Sequence, residues 1–532
     1  MCKTHNMEQN QMDNLNIVDF LHQRSIQNPR AILFTTASES ISFKEMVNQV
    51  NQLANALLSL NVSSGERIAI LSKSQFNTAL LLFACMKIGA VCMPINWRFS
   101  SDEIKYVLND SNARILISDG EFLSHKAELM TLTNLEHLFI TDHLDPKPTQ
   151  LNQWYKKFSD QYTSDKISPK DDAVHIYSSG TTGQPKGVVL THQGLISACE
   201  VTIQAWGLNN NAILGHILPT FHIAGLLMLV FPVYVGCNCV TFHDFQPVAF
   251  LSSLSDKKIS HVLLVPAMIN LLSAQASART LNFDNLKLIA YAGSPITESV
   301  LQTAIEIFNC DFSQIYGLTE VSGVVTILTA TDHRIAKNLL RSAGRPFPDT
   351  ELRVVDPITC VDLEDGCVGE IWIRSLRNFK EYWQNPTATN DAYPEARDNK
   401  GGWFRSGDAG YLKDGYLFLS DRIKDMIISG GENIYPAEVE NILMKHPHIA
   451  DVAVIGVPDD LWGESVKACV VVQPNSQVRE TELIEFVRDK IAHFKCPKTV
   501  DFLEALPRTE SGKLLKRDLR QKYWIDYTRL VN

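Results

Sequence analysis

Apolar residues fall along the chain in short continuous runs, separated by longer stretches where they recur every third or fourth position. That alternation of strands with amphipathic helices predicts a layered α/β fold with a parallel-rich sheet. Arg67–Leu71 (RIAIL) followed by residues 77–88 is one strand–helix pair, and residues 113–118 (ARILIS) open another. Residues 173–177 and 188–190 read as two further strands, and 312–315 as another. Between 340 and 415 the texture changes to short alternating segments with Gly and Pro turns, which predicts a small β-rich subdomain. After Asp421 the pattern is helix (437–444), strands (452–457 and 466–472) and helix (480–493), enough for a small α+β domain. The expected organisation is a large domain over residues 1–420 and a small mobile one over 421–532. The charged, glycine-rich stretch 421–433 connects them.

The most apolar stretch, 223–236, contains Pro232 and falls short of the ~18–20 residues that cross a bilayer. It is expected to be buried core. The polar N-terminus lacks a signal-peptide core, and the eleven cysteines include no Cys-x-x-Cys pair, so a cytoplasmic protein without a disulfide scaffold or structural zinc is expected. The 532 residues carry 49 Lys and Arg against 59 Asp and Glu, a formal charge of −10. Nucleic acid is not an expected partner, and any anion must be bound by a local device.

Residues 178–187, SSGTTGQPKG, supply such a device: three glycines, four hydroxyl residues and one lysine within ten positions. Glycines let the backbone turn its N–H groups around an anion, and Lys186 adds a full positive charge. The spacing differs from a Walker loop, which needs Gly-Lys-Ser/Thr followed at once by a helix, whereas a strand follows here.

Seven segments in order carry a resemblance: YSSGTTGQPKG from Tyr177, LPTFHIAG from Leu218, YAGSPIT from Tyr291, QIYGLTE from Gln314, WFRSGDAG from Trp403, DRIKDMIISGGENIYPAEVE from Asp421 and PRTESGKLLKRDL from Pro507. Over nearly its whole length the chain resembles the adenylate-forming superfamily, which includes acyl-CoA synthetases, luciferase and nonribosomal adenylation domains. Ser178 stands where Thr is commonest, and Asp421 where many relatives have Gly.

The resemblance implies an ATP- and Mg²⁺-dependent enzyme that joins a carboxylic acid to AMP and passes the acyl group to CoA. Ser178, Ser179, Gly180, Thr181, Thr182, Gly183 and Lys186 would hold the β and γ phosphates. Thr319 and Glu320 would lie near the α-phosphate, Glu320 binding the metal. Tyr316 would stack on adenine, with Gly317 beside it and Gly293, Ser294 and Pro295 passing close to the same ring. Asp408 would accept from the ribose hydroxyls, and Arg422 would donate toward sugar or phosphate. Lys513 would bridge the substrate carboxyl and the α-phosphate. Lys424 matches the hinge about which the small domain turns, after which Gly430, Gly431 and Glu432 would border the CoA channel.

His222 matches a position lining the acyl tunnel. Nonribosomal adenylation domains carry an Asp near this place, and Phe221, His222 and Ile223 offer no carboxylate, which disfavours an amino acid. The apolar run 226–231 is consistent with a fatty or aromatic acid, or with plain helix core. The chain stops soon after Lys513, so no fused carrier domain is expected. An acyl-AMP ligase serving a carrier protein, a luciferase-like oxygenase and a catalytically silent relative remain as alternatives. Chain length of the acid and oligomeric state, a homodimer included, stay open.

Overall fold

A computed structural model describes residues 16–125, 134–141, 150–162, 167–178, 185–294, 296–335, 337–422, 425–429, 432–459, 462–474, 476–488, 490–508 and 514–524. The fold is mixed α/β and divides into two compact units. The first holds the described residues up to Leu340 together with Pro346–Thr350 and Arg374–Phe404; the second holds Arg341–Arg345, Glu351–Ile373 and the described residues from Arg405 onward.

Two sheets organise the first unit. One runs in the order Thr326–Leu328, Asp311–Tyr316, Leu288–Ala292, His261–Leu264, Ile213–His216, Asn238–Thr241, Ile32–Thr35 and Ser40–Ser42. Its middle strands, from Asp311–Tyr316 to Ile32–Thr35, are parallel. Val262, Leu264, Ile289, Tyr291 and Phe312 bury one face against Phe250, Leu254, Ile269, Leu272, Leu301 and Phe308 from three helices. The second sheet has the order Glu381–Tyr382, Lys186–Thr191, Asp172–Ser178, Val91–Pro94, Arg67–Leu71, Ile115–Asp119 and His137–Thr141. Parallel strands such as Arg67–Leu71, Val91–Pro94 and Ile115–Asp119 are buried along their whole length, as coverage of both faces requires.

The strand–helix expectation at Arg67–Leu71 is met, with the helix starting earlier, at Gln75–Ile88, because the Ser74 side chain accepts from the Asn77 N–H and caps it. Stretch 223–236 is the buried helix Ile223–Val235, closed by Gly236 at φ 86°. Residues 226–231 are core of that helix. Among the described residues no helix is long and apolar enough to cross a membrane.

The β-rich stretch forms a sheet in the order Glu351–Val355, Gly369–Arg374, Phe404–Lys413 and Tyr416–Arg422. Part of that stretch leaves it: Glu381–Tyr382 instead pairs antiparallel with Lys186–Thr191 in the first unit. The C-terminal sheet carries the long antiparallel pair Ile449–Asp459 and Gly463–Val472. Val452 and Val454 face one core, while Ala453, Ile455 and Val457 face another, as the period of two in a strand requires. Within 421–433, read as a connection, the structure forms the hairpin of Ile427–Ser429 with Glu432–Ile434. The last predicted helix is shorter, Glu480–Arg488, followed by a 3-10 turn at His493–Lys495. Leu483, Val487 and Ile491 keep helical spacing across that break and all pack on one core, which is why the pattern reads on past the helix end.

Candidate active site

The strands that flank the glycine- and hydroxyl-rich stretch pair with each other. Asp172–Ser178 and Lys186–Thr191 pair antiparallel, and Ser178 and Lys186 are register partners. Ser179, Gly180, Thr181, Thr182 and Gly183 lie outside the described residues; the two feet of the loop are fixed. Beneath them the His175 ring is fully buried and stacks on Tyr177 at 4.7 Å between centroids. The Tyr177 hydroxyl donates to Asp110 Oδ2 at 2.5 Å, and burial raises its pKa.

Lys186 lies with its ammonium 5.1 Å from the ring centroid of Tyr382. The Tyr382 hydroxyl donates to Glu320 Oε1 at 3.0 Å. Two residues singled out in the sequence, far apart along the chain, therefore meet at a third that was not. Lys186, Gly187, Tyr382 and Trp383 line, with Tyr106 and Asp110, a cleft of about 140 Å³.

Thr319 and Glu320 form the 3-10 turn Thr319–Val321 after the strand Asp311–Tyr316. The turn is compact: the Gly323 N–H donates to Leu318 O, and a Cβ on Gly317 would lie 1.9 Å from Gly323 O. Gly317 therefore has to be glycine. Half-buried Glu320 offers a hard carboxylate oxygen, the donor type Mg²⁺ prefers, so the turn fits that ion.

Tyr316 and Gly293 leave adjacent parallel strands at the same edge, since Ala292 pairs with Ile315. The carboxyl edge of such a sheet is where open α/β folds bind ligands. Gly293 takes φ 90° as the chain turns out of the sheet toward Ser294; Pro295 lies outside the described residues. His222 precedes the helix Ile223–Val235 and is exposed, its ring 4.5 Å from Phe221. Phe221 in turn meets Trp97 edge-on at 5.8 Å, and the Arg98 guanidinium lies 4.5 Å from the Trp97 ring. Gly323 packs on Ile223 and Leu227, which seats the start of this helix against the Thr319–Glu320 turn.

In the second unit Asp408 and Arg422 are register partners on adjacent antiparallel strands. Asp408 is buried, and its N–H donates to Ser406 Oγ. Buried Glu370 shapes the approach, accepting from the Gly407 N–H at 3.2 Å and from Arg405 and Trp372 at 2.9 and 3.0 Å. Glu432 pairs with Ser429; Gly430 and Gly431 lie outside the described residues, as Lys424 does. Lys513 is also outside them; Arg508 and Leu514, on either side of it, form a bridge, and Arg508 is held by Asp451 at 2.7 Å.

Residues 21–383 match the AMP-binding enzyme family, and residues 438–513 match its C-terminal domain. The chain belongs to the AMP-binding enzymes. It is 33% identical over 510 residues to the fatty acid–acyl-carrier-protein ligase ScoC of Streptomyces coeruleorubidus, with 93% of each chain covered. It is also 33% identical over 522 residues to the long-chain-fatty-acid–CoA ligase FadD13 of Mycobacterium tuberculosis, covering 96% of this chain and 98% of that one. The fold superimposes on ATP-bound MatB from Rhodopseudomonas palustris with TM-score 0.87 at 25% identity, over 97% of this chain and all of the other. The adenylate-forming assignment and the layered α/β fold are thereby shown, and the protein is an AMP-forming acid–thiol ligase.

Two buried groups of this AMP-binding enzyme escaped the sequence reading. Arg377, fully buried, donates to Asp349 at 2.5 Å, to Ser197 at 3.1 Å and to Val324 O at 3.2 Å, and bonds Thr350 as well. Its own carbonyl accepts from Ser322 Oγ, so it ties down the far side of the Thr319–Glu320 turn. Glu370 does the equivalent for Asp408. Neither stands out, because a lone Arg or Glu in a strand-rich stretch carries no local pattern. Burial pushes the thiols of Cys85, Cys199 and Cys239 well up, so these cysteines are poor nucleophiles.

Proposed function

We propose that the protein is a cytoplasmic acyl-CoA synthetase that uses ATP and Mg²⁺ to activate a fatty or aromatic carboxylic acid and transfers the acyl group to CoA. The observation that carries this reading is the meeting of Lys186 and Glu320 at Tyr382 beside the hairpin loop. A cation for phosphate and a carboxylate for metal stand together where two anionic reactants must be brought into contact.

In this reading Ser178, Ser179, Thr181, Thr182 and Lys186 hold the β and γ phosphates, and Tyr316, Gly293, Ser294 and Pro295 frame adenine. Asp408 and Arg422, opposite each other across two strands, take the ribose. When bound by Glu320, Mg²⁺ offsets phosphate charge. The substrate carboxylate oxygen attacks the α-phosphorus, pyrophosphate leaves, and Lys513 stabilises charge on both partners. The small domain, residues 421–532, then turns about Lys424. The CoA sulfur approaches past Gly430, Gly431 and Glu432 and attacks the acyl carbon, and AMP departs. His222, exposed at a helix start beside Phe221, lines the acyl site.

A second reading, delivery of the acyl group to a carrier protein, is favoured by one specific relative, ScoC. Purified protein incubated with ATP, Mg²⁺ and a panel of carboxylic acids separates the two. Pyrophosphate release with CoA thioester is expected; adenylate without thioester at every CoA concentration would select the carrier-protein reading, and no pyrophosphate with any acid would end both.

A further inference from the structure

The segment 379–383 lies between the phosphate hairpin and the Thr319–Val321 turn and is bonded to each through its main chain. On one side Tyr382 is the register partner of Val188, and the Trp383 N–H donates to Gly187 O at 2.7 Å. On the other side the Phe379 N–H donates to Glu320 O at 2.7 Å. Tyr382 thus cannot shift toward one group without disturbing its bonds to the other.

We propose that Tyr382 is a positioning residue that sets the separation of Lys186 and Glu320 for a metal–triphosphate ligand, an inference that rests on the function proposed above. An ammonium and a carboxylate that both reach one tyrosine attract each other, and direct pairing would spend both charges before substrate arrived. Tyr382 offers each a different partner. Its ring face attracts the Lys186 ammonium without using that group's N–H donors, which stay available to phosphate oxygens. Its hydroxyl bonds one oxygen of Glu320 without neutralising the carboxylate, and so fixes the carboxylate plane while keeping its charge for a hard cation.

The full-length protein is titrated with Mn²⁺ and ATP, without acid or CoA, following bound Mn²⁺ by electron paramagnetic resonance. Tyr382→Phe keeps ring and main chain and removes the donor. It should weaken Mn²⁺–ATP binding about ten-fold, the loss of one hydrogen bond to a charged group. Metal-free ATP binding and thioester formation from supplied acyl-AMP should remain at wild-type levels. Tyr382→Leu, which also removes the ring, should weaken metal-free ATP binding too. Wild-type Mn²⁺–ATP affinity in Tyr382→Phe, or equal loss with and without metal, would overturn the inference. Glu320→Gln serves as reference. If it weakens Mn²⁺–ATP binding while Tyr382→Phe does not, the inference about Tyr382 fails alone; if neither does, the reading of Glu320 as the metal-binding carboxylate fails with it.

Discussion

Gly187 lies flat against the ring of His175, so close that a Cβ on Gly187 would stand 2.0 Å from Nε2. Both residues belong to the hairpin of Asp172–Ser178 with Lys186–Thr191, and both are buried. Gly187→Ala should therefore destabilise the fold by about 1–3 kcal/mol through overpacking. Adding His175→Ala should recover part of that loss. Denaturant titration of the two single variants and the double variant gives the coupling; strict additivity would show that the ring is not the obstacle.

Both nitrogens of His175 and of His192 are buried without a hydrogen-bond partner, and burial drives both pKa values down, that of His192 to about 4. Burial likewise lowers His216 to about 3 and His261 to about 4. These imidazoles are neutral in the fold and would take up protons on unfolding below their ordinary value of 6.5. Their contribution is intact above pH 6.5 and is lost as pH falls from there toward 4 and 3. Each should cost about 1.4 kcal/mol per pH unit across its window. Unfolding free energies measured from pH 7 to 4 test this, and His192→Gln should flatten the slope.

Much of this architecture is legible in the sequence where the deciding signal is local. The hairpin of Asp172–Ser178 with Lys186–Thr191 is readable because glycines, hydroxyls and a lysine interrupt two apolar runs; the burial of 223–236 is readable from an apolar run too short to span a bilayer. Tyr382 and Arg377 are not, because their meaning lies in partners remote along the chain, 62 positions away at Glu320 and 180 at Ser197. The short strand Glu381–Tyr382 was hidden for the same reason: only its pairing with Lys186–Thr191 removes it from the β-rich stretch.

Arg377→Met should cost about 3 kcal/mol, toward the lower end for breaking a buried pair because Asp349 is 36% exposed. Removing the guanidinium also frees Val324 O, next to the Thr319–Glu320 turn. The variant should lose adenylation activity beyond what its stability explains. Pyrophosphate release measured well below its melting temperature checks this; full activity there would confine Arg377 to stability.

Lys513→Ala should slow adenylation by orders of magnitude and leave thioester formation from supplied acyl-AMP largely intact. Separate assays of pyrophosphate release and of thioester formation decide it, and equal losses in both would contradict the division of labour between half-reactions.

Replacing Lys424 by Pro should hold the small domain in one orientation. One half-reaction should then fail while the other survives; normal rates in both would remove Lys424 from the hinge.

The Ser178–Lys186 pair and the Arg508–Leu514 bridge each tie together the two ends of a short segment. Both ties are made by main chain, so a side-chain exchange between the two ends leaves the means of anchoring in place. Grafting either segment from a relative should therefore preserve the flanking pair, whatever it does to turnover.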